Sequence, residues 1–148
     1  MDLFIDALIC ASSLALFLYW FRYGCLLILG AETPHDYSED VARANQLSFP
    51  EVRSILRRDT GTDLDCLRKR LERDFAIITE LLKHTPIANC DFGVEDAMLT
   101  IHFRTMSACF HLTSSTFRGF ALDALEEMSL VVTHLANEVG GRCIREHL

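Results

Sequence analysis

Residues 3–21 are nineteen positions whose only charge is Asp6, close to the amino end of the run. Wound as an α-helix at about 1.5 Å per residue they cover roughly 28 Å, near the ~30 Å hydrocarbon core of a bilayer. The run closes on Tyr19, Trp20, Phe21, Arg22 and Tyr23. Of these, Tyr19, Trp20, Arg22 and Tyr23 are the membrane-interface residues, because amphipathic rings and a cation suit the headgroup level. The segment reads as a transmembrane anchor.

A cleavable signal peptide is the rival reading. It requires a positive amino region, a shorter apolar stretch and small residues at the cut. This chain starts Met-Asp, carries a second acid at Asp6 and has no Lys or Arg before Arg22, leaving Leu29-Gly30-Ala31 as a weak cleavage site. Lipidation at Cys10 is disfavoured, since Ala7-Leu8-Ile9 puts bulk where a small residue is needed. Basic residues near a span accumulate on the cytoplasmic side. Arg22, and Arg43 at the edge of the counting range, therefore place the carboxyl domain in the cytoplasm and the amino end outside. The apolar stretch Tyr23–Gly30 admits two readings. Either the helix continues while Arg22 snorkels to the interface, or it breaks at Gly24; Pro34 stops it in both cases.

Ala7, Ala11 and Ala15 recur every four residues, a stripe that lets two helices approach closely in lipid, with Ser12 beside it for a hydrogen bond. The competing assignment is a plain lipid-facing alanine face.

Three parts follow: anchor and interfacial extension (1–30), acidic connector (31–47) and a bundle domain (48–148). From His35 onward there are 13 basic and 18 acidic side chains, a net charge of −5, so a mean hydropathy of +0.19 for the whole chain owes much to the anchor. That balance argues against a nucleic-acid partner, which would meet a basic excess. The six cysteines form no CxxC pair and no zinc or haem spacing, so reduced thiols are expected.

The domain is patterned for helices, giving an all-α fold class: an N-terminal transmembrane helix followed by a small antiparallel helical bundle. Ser48-Phe49-Pro50-Glu51 fits a capping box opening a helix to about Arg58, closed by Asp59-Thr60-Gly61. Thr62 or Asp63 then caps a helix to about His84 with the stripe Leu64, Leu67, Leu71, Phe75, Ile78 and Leu82. Asp65–Lys69 and Arg70–Asp74 are its i,i+4 pairs on the solvated side. After a loop comes a helix over about 94–112 with Leu99, Phe103, Met106 and Phe110 inward; alternation over 99–103 would also suit a strand. The last helix carries Phe117, Phe120, Ala124, Met128, Val131 and Leu135, and Gly140-Gly141 is a natural left-handed cap.

Three groups carry candidate chemistry. His102, Met106 and Cys109 share one helical face and offer nitrogen, thioether and thiolate donors to a soft metal ion; a core stripe is the plainer reading. Glu80, His84, Glu95, His134 and Glu138 would gather at one end of an antiparallel bundle, as a site for acid–base chemistry or a divalent ion, or as a salt-bridged surface. The doubled Glu-x-x-His signature of di-metal bundles is missing. The basic run Arg53, Arg57, Arg58, Arg68, Lys69, Arg70 and Arg73 is lipid-facing in one reading and a solvated helix face in the other. Asp91-Phe92-Gly93 matches the kinase triplet in letters only.

With no GxSxG, HExxH, P-loop or GxGxxG motif, no catalytic residue and no cofactor is assigned. The expected function is a single-pass, membrane-anchored interaction, scaffolding or accessory subunit. Its partners would be the membrane, a second copy or a larger membrane complex, with exposed Phe92 and Ile144 as contact points. The alternative is a tethered bundle binding a metal or small ligand.

Overall fold

The computed structural model describes residues 1–58, 61–85 and 93–146, and the chain falls into two compact units, Met1–Glu32 and Thr33–Leu148.

The first unit is one helix, α1 (Asp2–Leu29), which runs through Gly24 without a break. Of the two readings of Tyr23–Gly30, continuation holds. The Gly30 amide donates to the Leu26 carbonyl at 2.9 Å, closing the last turn. Side chains from Leu3 to Trp20 stand exposed, and the rings near its end meet edge to face, Tyr19 with Trp20 at 6.1 Å and Trp20 with Tyr23 at 5.9 Å. The helix is long and apolar enough to cross a membrane. Ser12 Oγ donates to the Ile9 carbonyl of its own helix, so its hydroxyl is already satisfied.

The second unit consists of α2 (Ser38–Asn45), α3 (Phe49–Arg58), α4 (Leu64–His84), α5 (Val94–Thr113) and α6 (Arg118–Glu146), with no strand among the described residues. The alternation at Leu99–Phe103 is therefore helical. Helix α6 packs against each of α2, α3, α4 and α5. Its buried residues Ala121, Leu125, Met128, Val131, Val132, Leu135, Ala136 and Val139 share one broad face at helical spacing. An apolar face that long has to be covered along its length, and the four neighbouring helices cover it. Against it α4 buries Leu67, Leu71, Phe75, Ile78 and Leu82, and α5 buries Leu99, Phe103 and Phe110. Phe75 and Phe103 stack with centroids 4.0 Å apart, joining α4 to α5.

Four expectations change. First, Phe117 and Phe120 are not core: they stand 57% and 65% exposed, because α6 starts at Arg118 and its enclosed stretch begins at Ala121. Second, Gly140-Gly141 does not end the last helix, which continues to Glu146 with no glycine at positive φ. Third, part of the connector folds as α2, held to α6 by Asn137. That side chain accepts the Tyr37 amide at 2.7 Å and donates to Thr33 Oγ1 at 3.0 Å. Fourth, the Ser48–Glu51 capping box does not close as written. The Ser48 amide donates instead to Asp74 Oδ2 of α4 at 2.7 Å, Ser48 Oγ donates to the same carboxylate, and Glu51 turns to Arg70 at 3.4 Å. Arg70 and Asp74 are accordingly not partners of each other. Asp63 does cap α4, accepting the Asp65 amide at 3.0 Å, and Lys69 pairs with Asp65 at 2.8 Å. The kinase-like triplet, apart from its glycine, Cys90, Phe92 and residues 59–60 lie outside the described residues.

Gly140 has a packing reason in place of a conformational one. A Cβ built there would overlap Tyr37 Cβ and lie 3.2 Å from Val41 Cγ2, whereas one at Gly141 meets only Arg145 Nη2 at 3.8 Å. The bare backbone of α6 is what lets the lead-in to α2 approach. Gly140→Ala is therefore expected to cost about 1–3 kcal/mol through overpacking. Gly141→Ala should be neutral or stabilising by up to about 1 kcal/mol, from helix propensity. Urea unfolding of the two full-length variants in detergent checks the contrast; equal effects would refute it.

Candidate functional site

Helix α5 directs His102 into the core, 1% exposed, with Nε2 3.0 Å from Glu127 Oε2 of α6. The approach is not aligned as a ring N–H bond, so the contact is charge beside ring rather than a well-formed hydrogen bond. Met106 and Cys109 lie on the same helix but are only half-buried. Among the described residues no group of three or more His, Cys, Asp or Glu side chains is arranged to hold a metal ion. Nor do the described residues pair any cysteine in a disulfide.

The proposed Glu/His gathering resolves into local pairs. His84 Nδ1 lies 3.4 Å from Glu80 Oε1 on the same exposed turn of α4. Glu95 is exposed, and Glu138 accepts Arg142 Nε at 3.1 Å. Sequence reasoning passed over what Arg142 does next: its Nη2 reaches Asp96 Oδ2 at 3.1 Å, tying the first turn of α5 to α6. Asp96 is the third residue of α5, where a carboxylate also complements the helix dipole.

The seven-residue basic run divides by helix face. Arg68 is buried and bridges Asp65 at 2.9 Å and Glu72 at 2.6 Å, with its guanidinium 5.9 Å from the Phe110 ring centroid. Glu72 also accepts Ser107 Oγ at 2.6 Å, extending the network to α5. Lys69 and Arg68 together hold the Asp65 carboxyl below its usual range. Arg68, Lys69 and Arg70 are thus occupied by acids. Arg53, Arg57 and Arg58 instead border an open groove of about 480 Å³ along α3, and Arg73 is exposed on α4.

Asp74 is the buried acid that sequence reasoning placed on the surface. It has no exposure, and it meets the amino end of α3 through the Ser48 amide and hydroxyl and the Phe49 amide. Burial pushes its carboxyl above the ordinary 3.8, while those donors act in the opposite sense. Such a cap supplied from another helix leaves no pattern in a one-dimensional reading.

No protein-family model, curated protein or solved structure matches the chain. The chain carries a helical unit whose buried Arg68, Asp74 and Asp96 are engaged by neighbouring groups, with an open groove at the surface along α3.

Asp74→Ala is expected to destabilise the chain by about 1–3 kcal/mol, because amide donors at the start of α3 lose their acceptor. Asp74→Asn keeps one acceptor oxygen and should cost less. The pH dependence has a definite sign. A folded-state carboxyl raised above its unfolded value binds protons more readily in the native state. Relative to Asp74→Asn, the wild type should gain stability as pH falls from neutral through the raised native value. The gain is complete below about 3.8 and lost again on return to neutral pH. Denaturant midpoints of both proteins between pH 7 and pH 4 test this; a difference that does not vary with pH contradicts it.

Proposed function

We propose that this chain is a single-pass membrane protein whose helical unit serves as an interaction, scaffolding or accessory module on the cytoplasmic face. The observation that carries the reading is the contrast between α1 and the rest. An apolar helix of 28 residues, none of its most apolar stretch covered by protein, is joined to a unit that encloses its own core. Water leaves such a helix unstable alone, whereas a bilayer both covers its side chains and matches the length of its apolar run 3–21. Arg22, and Arg43 beyond it, support the cytoplasmic orientation of the helical unit.

For the interaction role, the tip of the α5–α6 hairpin supplies the surface. Leu112, Phe117 and Phe120 are 79%, 57% and 65% exposed, and the two phenylalanine rings meet edge to face at 6.0 Å. Rings grouped at one tip differ from the scattered apolar residues of ordinary surfaces. Ala7, Ala11 and Ala15, all exposed on α1, supply a second face for a copy of the same helix.

Cross-linking in native membranes is expected to capture a defined partner or a second copy, and a chain recovered only as a monomer rejects the role. Replacing Ala7, Ala11 and Ala15 with Ile should lower the dimer yield if that face pairs; an unchanged yield assigns contact elsewhere. The double variant Phe117→Ser with Phe120→Ser should reduce partner recovery while shifting stability by no more than about 0.5 kcal/mol, since both positions are exposed. The anchor itself is tested by alkaline extraction. Release of the full-length, uncut chain into the supernatant would remove the membrane assignment.

A further inference from the structure

We infer that the groove along α3 is a binding site for the anionic headgroups of the bilayer that holds α1, with Arg53, Arg57 and Arg58 as the ligating cations. The inference rests on the anchored reading above and adds the lipid class recognised. Three observations carry it.

The first is chemical. The groove sets three guanidinium groups and the Ser54 hydroxyl around one open volume of about 480 Å³. Guanidinium forks match phosphate and carboxylate oxygens, and hydroxyls add donors. Asp36 and Glu39 share the wall, leaving a formal charge of +1 from three cations and two acids. Asp36 is already engaged: it accepts the Ser38 hydroxyl, accepts the Ser38 amide at 2.9 Å and lies in the field of Arg53. The local sign is opposite to that of the unit, whose balance from His35 onward is −5.

The second is selective. Within one basic run the fold pairs Arg68, Lys69 and Arg70 with Asp65, Glu72 and Glu51, yet gathers Arg53, Arg57 and Arg58 round a single opening. A merely solvated face would not require that division.

The third is covalent. Asp36 and Ser38 line the groove, and Asp36 follows the last residue of α1, Leu29, by seven positions. Seven residues extend to at most about 25 Å. A connector of that reach allows the groove to meet the headgroup layer. Cytoplasmic leaflets carry anionic lipid at that layer and attract clustered cations.

The test uses the full-length chain in nanodiscs of phosphatidylcholine alone or with 30% phosphatidylserine, read by hydrogen exchange over residues 49–58. Exchange there should be at least about threefold slower in the serine-containing discs, and the difference should vanish in Arg53→Gln/Arg57→Gln/Arg58→Gln and in high salt. Arg73→Gln should leave it intact. Glu39→Lys, which adds a cation to the wall, should enlarge it; that variant decides the matter should the triple variant fail to fold. Equal exchange in both discs, with the chain inserted, overturns the headgroup site and leaves the anchor standing. Failure to insert overturns both. Equivalent protection in neutral discs on adding inorganic phosphate would show a soluble anion as the occupant and also overturn the lipid assignment.

Discussion

The folded unit depends on covering α6. Leu125, Met128, Val131, Val132, Leu135 and Val139 form one continuous face of that helix, and each is at most 4% exposed. Burying a side chain of this kind contributes about 1.5–3 kcal/mol, while a whole domain is stable by only about 5–15 kcal/mol. Withdrawing one covering helix would therefore remove most of the margin. This is why α2, a helix of eight residues with little stability of its own, is retained: it closes the side of α6 near Val139 and Gly140 that the longer helices leave open.

Apolar enclosure alone does not say where along α6 each neighbour stops. Polar contacts supply that register. Asp74 holds the start of α3 to α4, Glu72 joins α4 to Ser107 of α5, Arg142 joins Asp96 of α5 to α6, and Asn137 holds the lead-in to α2. Replacing a buried ion pair by apolar groups is often neutral, but stranding one partner costs about 3–5 kcal/mol. Sliding any helix by one turn would strand several of these groups together. The contacts thus act less as net sources of stability than as penalties on every arrangement but one.

Helices were legible because their periodicity is written in single segments. The stripe from Leu67 to Leu82 is buried as spacing demanded, and Asp63 caps α4. What escaped was decided between segments. Phe120 has the right spacing for the core face of α6, yet it precedes the part that neighbours enclose. Gly140 looks like a terminator because local sequence cannot display Tyr37 arriving from a hundred residues away. The candidate sites behaved likewise. Arg68 and Arg57 read alike in one basic run, and only the opposing carboxylates of Asp65 and Glu72 separate an occupied guanidinium from an open one.

For the anchored topology proposed above, that separation bears on how orientation and lipid contact would relate. Topology is chosen during insertion, before the bundle exists, so only cations near the span in sequence, Arg22 and Arg43, can influence it. Arg53, Arg57 and Arg58 lie too far along the chain to count then, and line one groove only once α2 and α3 have folded beside Asp36. An acidic unit tethered to an anionic surface is repelled at long range, but screening within about 8 Å at physiological salt makes the nearest charges decisive. A unit of net negative charge can then rest against the leaflet through one locally positive groove. On the opposite side of the membrane, with little anionic lipid to meet, the same three arginines would have no such counterpart. In the proposed topology the two sets of arginines would act at different times, and both would favour the same side of the bilayer.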